Sequence, residues 1–346
     1  MSEAVARYDR ERDRYIKLAS RVADMCRVAV EDNAIRAQIT SRTKTVRSFA
    51  EKLRRFSRRR DKTFATVDGV FARIGDFSGV RVATYRPEDE PRVSELIGRL
   101  FCGPEGGEMD VDRKEKLDPA AAQFYRSTHC QVFLRKEELV GDYANLRGAS
   151  CEIQICSMMA HVWNEIEHDI GYKPEGGGPD DAERGLLEIL GHTTRSGDVT
   201  ITRLLAANTA RMTMQTGDFE DVHDFVARLH PRFPDADLSV NAGPAFDAAM
   251  QLGLSTVERI DAASHGAALD AGVARRRIEA FNAYLEEHDR PDLALTMGSS
   301  DLVLVGLLDL GAVELAGSRS EDAAPARQGR LVAAASAYLG FAGAAG

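Results

Sequence analysis

The chain has 346 residues, 44% of them hydrophobic, and a formal net charge of −9 at pH 7, enough for one large domain or two ordinary ones around a real core. No apolar run is long enough to cross a bilayer, and the start Met1-Ser2-Glu3-Ala4 opens into charge without a signal core, so a soluble, cytoplasmic protein with no membrane partner is expected. Five scattered cysteines (Cys26, Cys102, Cys130, Cys151 and Cys156) exclude a disulfide framework and paired zinc ligands, and are read as reduced, mostly buried thiols.

Residues 3–31 show helical periodicity, with Tyr8, Tyr15, Leu18, Val22, Met25 and Cys26 on one face. Residues 34–60 read as a second, basic helix with Ile39, Val46, Phe49 and Leu53 inward. Residues 79–85 alternate β-branched positions through Val80 and Val82 and predict a strand. A helix over 91–101 follows, then a Gly/Pro loop at 103–107. Strands are expected over 128–134 and 149–155, and a helix over 157–170 with Ser157 as N-cap. The glycine-rich break at 176–179 is taken as the domain boundary. Residues 182–215 look helical, and short helices follow, Val222, Phe225, Val226 and Leu229 forming a core stripe. The Ala/Gly-rich stretch after Ser318 reads as partly disordered, with a final helix at 331–339.

Charge divides unevenly. From residue 181 onward stand 14 arginines, no lysine and 24 acids, whereas the first 180 residues hold 31 bases and 30 acids. Positions 41–62 alone carry ten bases against two acids. A neutral half with a basic stripe suits an anionic ligand, and the acidic half does not suit a nucleic-acid clamp.

Four clusters carry chemistry. Arg42, Lys44, Ser48 and Lys52 put three bases and a hydroxyl at spacings of two, four and four, a pattern that could hold a triphosphate but on its own reads sooner as a solvated helix face. The run 76–82, Asp-Phe-Ser-Gly-Val-Arg-Val, sets Asp76 before a strand and Arg81 on it, as a surface turn also would. Tyr125, Ser127 and His129 alternate, so on a strand they share one side; a half-buried strand end would look alike. In Glu152-Ile153-Gln154-Ile155 the isoleucines point to a core and Glu152 and Gln154 to a cleft. The helix after it carries the only tryptophan, Trp163, with Glu165, Glu167 and His168, more ionisable groups than packing needs.

Together these clusters resemble the synthetase domain of RelA/SpoT proteins, especially the small alarmone synthetases. The matching motifs are R-x-K-x-x-x-S-x-x-x-K at 42–52, D-x-x-G-x-R at 76–81, Y-x-S-x-H at 125–129, E-I-Q-I at 152–155 and H-x-W-x-E-I-E-H-D-I-x-Y-K at 161–173. The resemblance covers roughly residues 30–175. It implies an α+β fold, a mixed β-sheet flanked by helices like a nucleotidyltransferase palm, over residues 1–175, ahead of a mainly helical region of unknown role at 180–346. It implies an ATP-dependent pyrophosphokinase. Arg42, Lys44, Ser48, Lys52 and Arg81 would bind ATP; Asp76 and Glu152 would be catalytic and hold Mg²⁺; Tyr125, Ser127, His129 and Gln154 would meet the acceptor. In-line transfer needs such cations and a divalent metal.

The departures fall on the acceptor side. Where family members carry Pro-Lys-x-Asn-Gly before the tyrosine, this chain reads Pro119-Ala120-Ala121-Ala122-Gln123-Phe124, so the phosphate-binding lysine is missing unless Arg126 or Lys116 replaces it. Cys156 stands where an arginine follows E-I-Q-I. The acceptor is therefore left open between GDP or GTP, giving (p)ppGpp, and an adenine nucleotide or the tRNA 3′ end, as in toxic members, with Arg54, Arg55, Arg58, Arg59 and Arg60 available for tRNA phosphates. A catalytically silent nucleotide-binding module is the third reading. An antitoxin or a homo-oligomer partner is compatible with each. About 40 residues precede Arg42, too few for a hydrolase domain, so no alarmone hydrolysis is expected.

Overall fold

The computed structural model describes residues 2–57, 66–118, 123–171, 178–317 and 325–345. The expectations placed on Arg58–Arg60, on 119–122, on 176–177 and on 318–324 lie outside the described residues. By internal contacts the chain forms two compact units, Met1–Arg27 with Arg36–Thr202, and Val28–Ile35 with Arg203–Gly346. Among the described residues no helix is long and apolar enough to cross a membrane.

The elements in chain order are α1 (Ser2–Asp32), β1 (Ala37–Thr43), α2 (Val46–Ser57), α3 (Val67–Arg73), β2 (Ser78–Thr84), α4 (Glu90–Leu100), β3 (Phe101–Cys102), β4 (Asp110–Asp118), β5 (Gln123–Leu134), β6 (Cys151–Ser157), α5 (Met158–Gly171), α6 (Asp181–Met212), α7 (Val222–Leu229), α8 (Ala242–Gln251), α9 (Val257–Ser264), α10 (Ala271–Glu287), α11 (Asp301–Gly317) and α12 (Pro325–Ala345). The first unit is built on a mixed sheet of order β1-β2-β6-β5-β3, with β4 also paired to β5. Only β2 and β6 run parallel; the other pairs are antiparallel. This is the α+β sheet flanked by helices that the motifs implied.

Alternation sorts the sheet into two faces. Val80, Val82, Ile153, Ile155, Cys130 and Val132 are each no more than 2% exposed and make the apolar face. The register aligns the opposite set in rows across the strands. One row runs Arg42–Gly79–Glu152–Gln131 and the next Thr40–Arg81–Gln154–His129. Beside the sheet, Tyr8 and Tyr15 of α1 pack against Phe77, which also meets Phe49 and Phe71, with Phe77 centroids about 5 Å from each.

Two strands depart from the sequence expectation. Residues 34–60 are not one helix: Ala37–Thr43 is an edge strand, and α2 starts only after Thr45. The Thr45 hydroxyl oxygen accepts the Ser48 N–H at 3.1 Å, an N-cap that fixes where the helix begins. Arg42 is therefore on a strand and Lys44 on the connection, not on a helix face. The charged strand β4 had no counterpart in the expectation. At β6 the expected N-cap is present, the Ala160 N–H donating to Ser157 Oγ at 3.0 Å.

The second unit is helical. Its centre is α11, where Leu302, Val303, Leu304, Val305, Leu307 and Leu308 are all buried, the pattern of a helix apolar all round and enclosed by others. Phe225, Leu229, Ile278, Phe281, Leu285 and Tyr338 close round it. Arg327 is ion-paired with Asp32, and with Asp247 at 3.3 Å.

Candidate active site

The polar face of the sheet brings most of the motif residues together. Asp76 lies just before β2 and takes both lysines: Lys52 Nζ at 2.7 Å and Lys44 Nζ at 2.9 Å, one on each carboxylate oxygen. Burial pushes the Asp76 carboxyl up, but the hydrogen bond from Lys52 and the charges of both lysines outweigh it and hold it below the ordinary carboxylate value. Lys44 is fixed in turn by its backbone, its N–H donating to the Phe77 carbonyl at 3.0 Å and its carbonyl accepting the Tyr8 hydroxyl at 2.6 Å.

Glu152, on the strand beside β2, has a separate set of partners. His129 Nδ1 lies 3.1 Å from Oε1, and Gln154 Nε2 donates to Oε2 at 2.8 Å. Burial raises the Glu152 carboxyl, yet these hydrogen bonds bring it below its ordinary value, while the Asp76 charge pulls upward. The two carboxylates thus sense each other electrostatically and are both ionised at neutral pH. The Tyr125 hydroxyl lies 2.9 Å from His129 Nε2. A neutral imidazole protonated on Nδ1 satisfies both contacts, donating to Glu152 and accepting from Tyr125.

Arg81 crosses to α5, donating to Glu165 at 2.5 Å and lying 3.3 Å from His161 Nε2 and 3.4 Å from Gln154 Oε1. Burial and the Arg81 charge lower the His161 pKa, so its ring is neutral at pH 7. Glu165 and His161 were visible as motif positions but carried no assigned role. Arg42 is exposed and lies over Gly79, where a Cβ would sit 3.4 Å from Arg42 Cγ. The bare backbone at Gly79 lets that side chain lie along the row towards Glu152. Ser48 is exposed in the first turn of α2. Ser127 shares the strand face by register but is only 4% exposed, and its hydroxyl donates to the Ile155 carbonyl at 3.2 Å. It shapes the strand pair and does not open towards an acceptor.

Neither Arg126 nor Cys156 adds a cation beside Tyr125 and His129. Arg126 turns away from Tyr125 and His129, towards Glu90 at 3.1 Å, Asp198 at 3.2 Å and Ser157 Oγ at 3.2 Å. Cys156 is 2% exposed, and burial pushes its thiol up to about 12, the mark of an inert packing cysteine. On the same side of β5, Phe124 and Trp163 meet with centroids 6.0 Å apart beneath α6, and the Trp163 indole N–H donates to the Leu187 carbonyl at 3.2 Å.

Among the described residues no three His, Cys, Asp or Glu side chains gather into a metal cage. Two ionised carboxylates on neighbouring elements nevertheless fit Mg²⁺, which takes one or two protein carboxylates and completes its shell with water and substrate phosphates.

Residues 41–177 match the family model described as a region found in RelA/SpoT proteins. No curated protein matches the chain. Several solved structures are similar over part of it. Small alarmone synthetase 1 from Bacillus subtilis is 19% identical with a TM-score of 0.44, covering 59% of this chain and 98% of that one. The same enzyme bound to its product pppGpp is 20% identical at 0.44, covering 58% and 98%. A GTP pyrophosphokinase family protein from Streptococcus pneumoniae is 23% identical at 0.41, covering 57% and 92%. Strands β2–β6, the end of β1, the two carboxylates and their cationic neighbours thus fall within residues 41–177, the stretch that matches the model of a region found in RelA/SpoT proteins.

Proposed function

We propose that the chain is an ATP-dependent pyrophosphokinase that moves the β,γ-pyrophosphate of ATP to the ribose 3′-hydroxyl of a guanine nucleotide. One observation carries the reading: inside a RelA/SpoT region, two ionised carboxylates sit on neighbouring elements, one held by two lysines and the other by a histidine and a glutamine.

In the reaction the acceptor oxygen forms a bond to the β-phosphorus of ATP. The bond from that phosphorus to the α,β-bridging oxygen breaks, AMP leaves, and the hydroxyl proton is released. Lys44 and Lys52 exchange Asp76 for the triphosphate oxygens when ATP enters, and Arg42, Ser48 and Arg81 complete the donor site. Asp76 and Glu152 would then hold Mg²⁺, which neutralises phosphate charge when bound. Tyr125 stacks on the acceptor base, while His129 and Gln154 keep Glu152 oriented. The lowered Glu152 pKa makes it a weak proton acceptor, so positioning and charge stabilisation supply most of the acceleration.

The test is transfer of label from γ-labelled ATP with Mg²⁺ to GDP, GTP, ADP, ATP or bulk tRNA, each offered alone. A labelled guanine nucleotide is the expected product; label on adenine nucleotide or tRNA moves the acceptor, and no product anywhere rejects the activity. Asp76→Ala and Glu152→Ala are each expected to lower the rate by at least about 100-fold. Full activity in either variant removes the carboxylate pair from the mechanism.

A further inference from the structure

Four elements of the first unit meet at one guanidinium. Arg126, on β5, directs a single nitrogen, Nη2, at Glu90 Oε1 (3.1 Å), Asp198 Oδ2 (3.2 Å) and Ser157 Oγ (3.2 Å). Glu90 opens α4, Asp198 lies in α6 and Ser157 ends β6. Both acids are enclosed, their side chains 12% and 9% exposed. Asp198 Oδ1 and Arg126 Nε are buried with no hydrogen-bond partner among the described residues, an unfavourable place for polar atoms.

Arg126 is the cation in contact with the pair. The other charged groups around it are acidic or already held. Asp89, next to Glu90, is paired with Arg86 and Arg92. Exposed Glu88 accepts the Thr202 hydroxyl at 3.2 Å, and the neighbouring Cys156 thiol stays protonated. With both acids ionised the cluster therefore keeps one uncompensated negative charge. Closed, it is neutralised by a proton that belongs to the pair. Burial accordingly raises the Glu90 carboxyl to about 7, and burial together with the Glu88 charge raises Asp198. The alternative is access of water. Asp198 is the member placed to leave, because the residues around it on α6, His192, Thr193, Arg195, Ser196, Val199 and Thr200, are exposed.

We infer that Glu90, Arg126 and Asp198 form a proton-operated latch: protonated, it holds α6 on the sheet; deprotonated, it releases the Asp198 turn. The release reaches the candidate site along β5, where Phe124, packed against Gly191 of α6, and Arg126 flank Tyr125. The latch goes beyond the pyrophosphokinase reading and stands whether or not the chain transfers pyrophosphate. Its sign follows from linkage. The closed form binds a proton that the open, hydrated form gives up, so opening becomes easier as pH rises through about 7.

The experiment is native-state hydrogen exchange on the full chain at pH 6, 7 and 8, read as protection factors, which remove the intrinsic pH dependence of exchange. Protection of the α6 amides from Leu187 to Thr202 is expected to fall about tenfold between pH 6 and pH 8 in the wild type, the release of one proton per opening. Amides of β2 and β6 are expected to stay level. Glu90→Gln leaves Asp198 alone with Arg126 and is expected to abolish the fall; Asp198→Asn leaves Glu90 alone with Arg126 and is expected to flatten it too. Melting temperatures show that each variant is folded, and Asp198→Asn carries the test where Glu90→Gln is not. Level α6 protection in the wild type overturns the inference. A fall retained in the folded variant overturns it as well, and so does a fall shared equally by β2 and β6, which is unfolding of the whole unit.

Discussion

Glu90 shows how a single carboxyl sets a pH dependence away from the reacting groups. Burial pushes it up to about 7; Arg126 pulls it down and Asp198, itself raised by burial, pushes it up again. Two buried carboxyls share one guanidinium, and that guanidinium cannot compensate both. A folded pKa above the unfolded value means that the folded chain binds the extra proton, so stability from this group falls as pH rises from about 4.5 through 7. Glu90→Gln removes the ionisation while Asp198 keeps Arg126 paired. It is expected to stabilise the protein by on the order of 1–3 kcal/mol at pH 8 and by only about a quarter of that at pH 5. Thermal melts of the two proteins at both pH values check this. An advantage at pH 5 as large as at pH 8 would mean that Glu90 does not titrate in the folded chain.

Helix α6 carries its own internal control for close packing. At Gly191 an added Cβ would lie 2.2 Å from the Phe124 ring, whereas at Gly185 it would meet nothing within 4 Å. Replacing a helical glycine by alanine stabilises by up to about 1 kcal/mol where there is space. Overpacking costs about 1–3 kcal/mol. Gly185→Ala is therefore expected to raise, and Gly191→Ala to lower, the urea midpoint, a sign reversal within two turns of one helix. Elements of this kind were legible in the sequence when one residue pattern had one explanation: β2 and β6 through their alternating apolar positions, α5 through its cap, α6 through its length. Strand β1 was hidden because Ile39, Val46, Phe49 and Leu53 keep a helical spacing across a strand, a turn and a helix. Strand β4, Asp-Val-Asp-Arg-Lys-Glu-Lys-Leu-Asp, has almost no apolar signal, as suits a strand that meets water. The residues of the site were readable as motifs, but not their pairing. That Lys44 and Lys52 close on Asp76 depends on the turn at Thr45, and that Arg126 is spent on Glu90 and Asp198 depends on contacts 36 and 72 residues away.

At the scale of the chain, the family match ends at residue 177 while the first compact unit runs to Thr202. The difference is the first part of α6, which covers Phe124 and Trp163 and is part of that unit's core. A chain ending at Pro174 loses this cover, and one ending at Thr202 keeps it. Uncovering a buried tryptophan and its neighbour costs about 3–5 kcal/mol, or roughly 10 °C for a unit of this size. The shorter chain is expected to melt lower than the longer one by that amount in calorimetry, and equal melting temperatures would show that α6 adds nothing. Trp163 is the single tryptophan of the sequence, and its indole is tied to the Leu187 carbonyl of α6. Ultraviolet emission excited at the indole band therefore reports the seating of one helix on one sheet and is blind to the second unit. The intact protein carries a label-free optical probe of the unit that bears the candidate site.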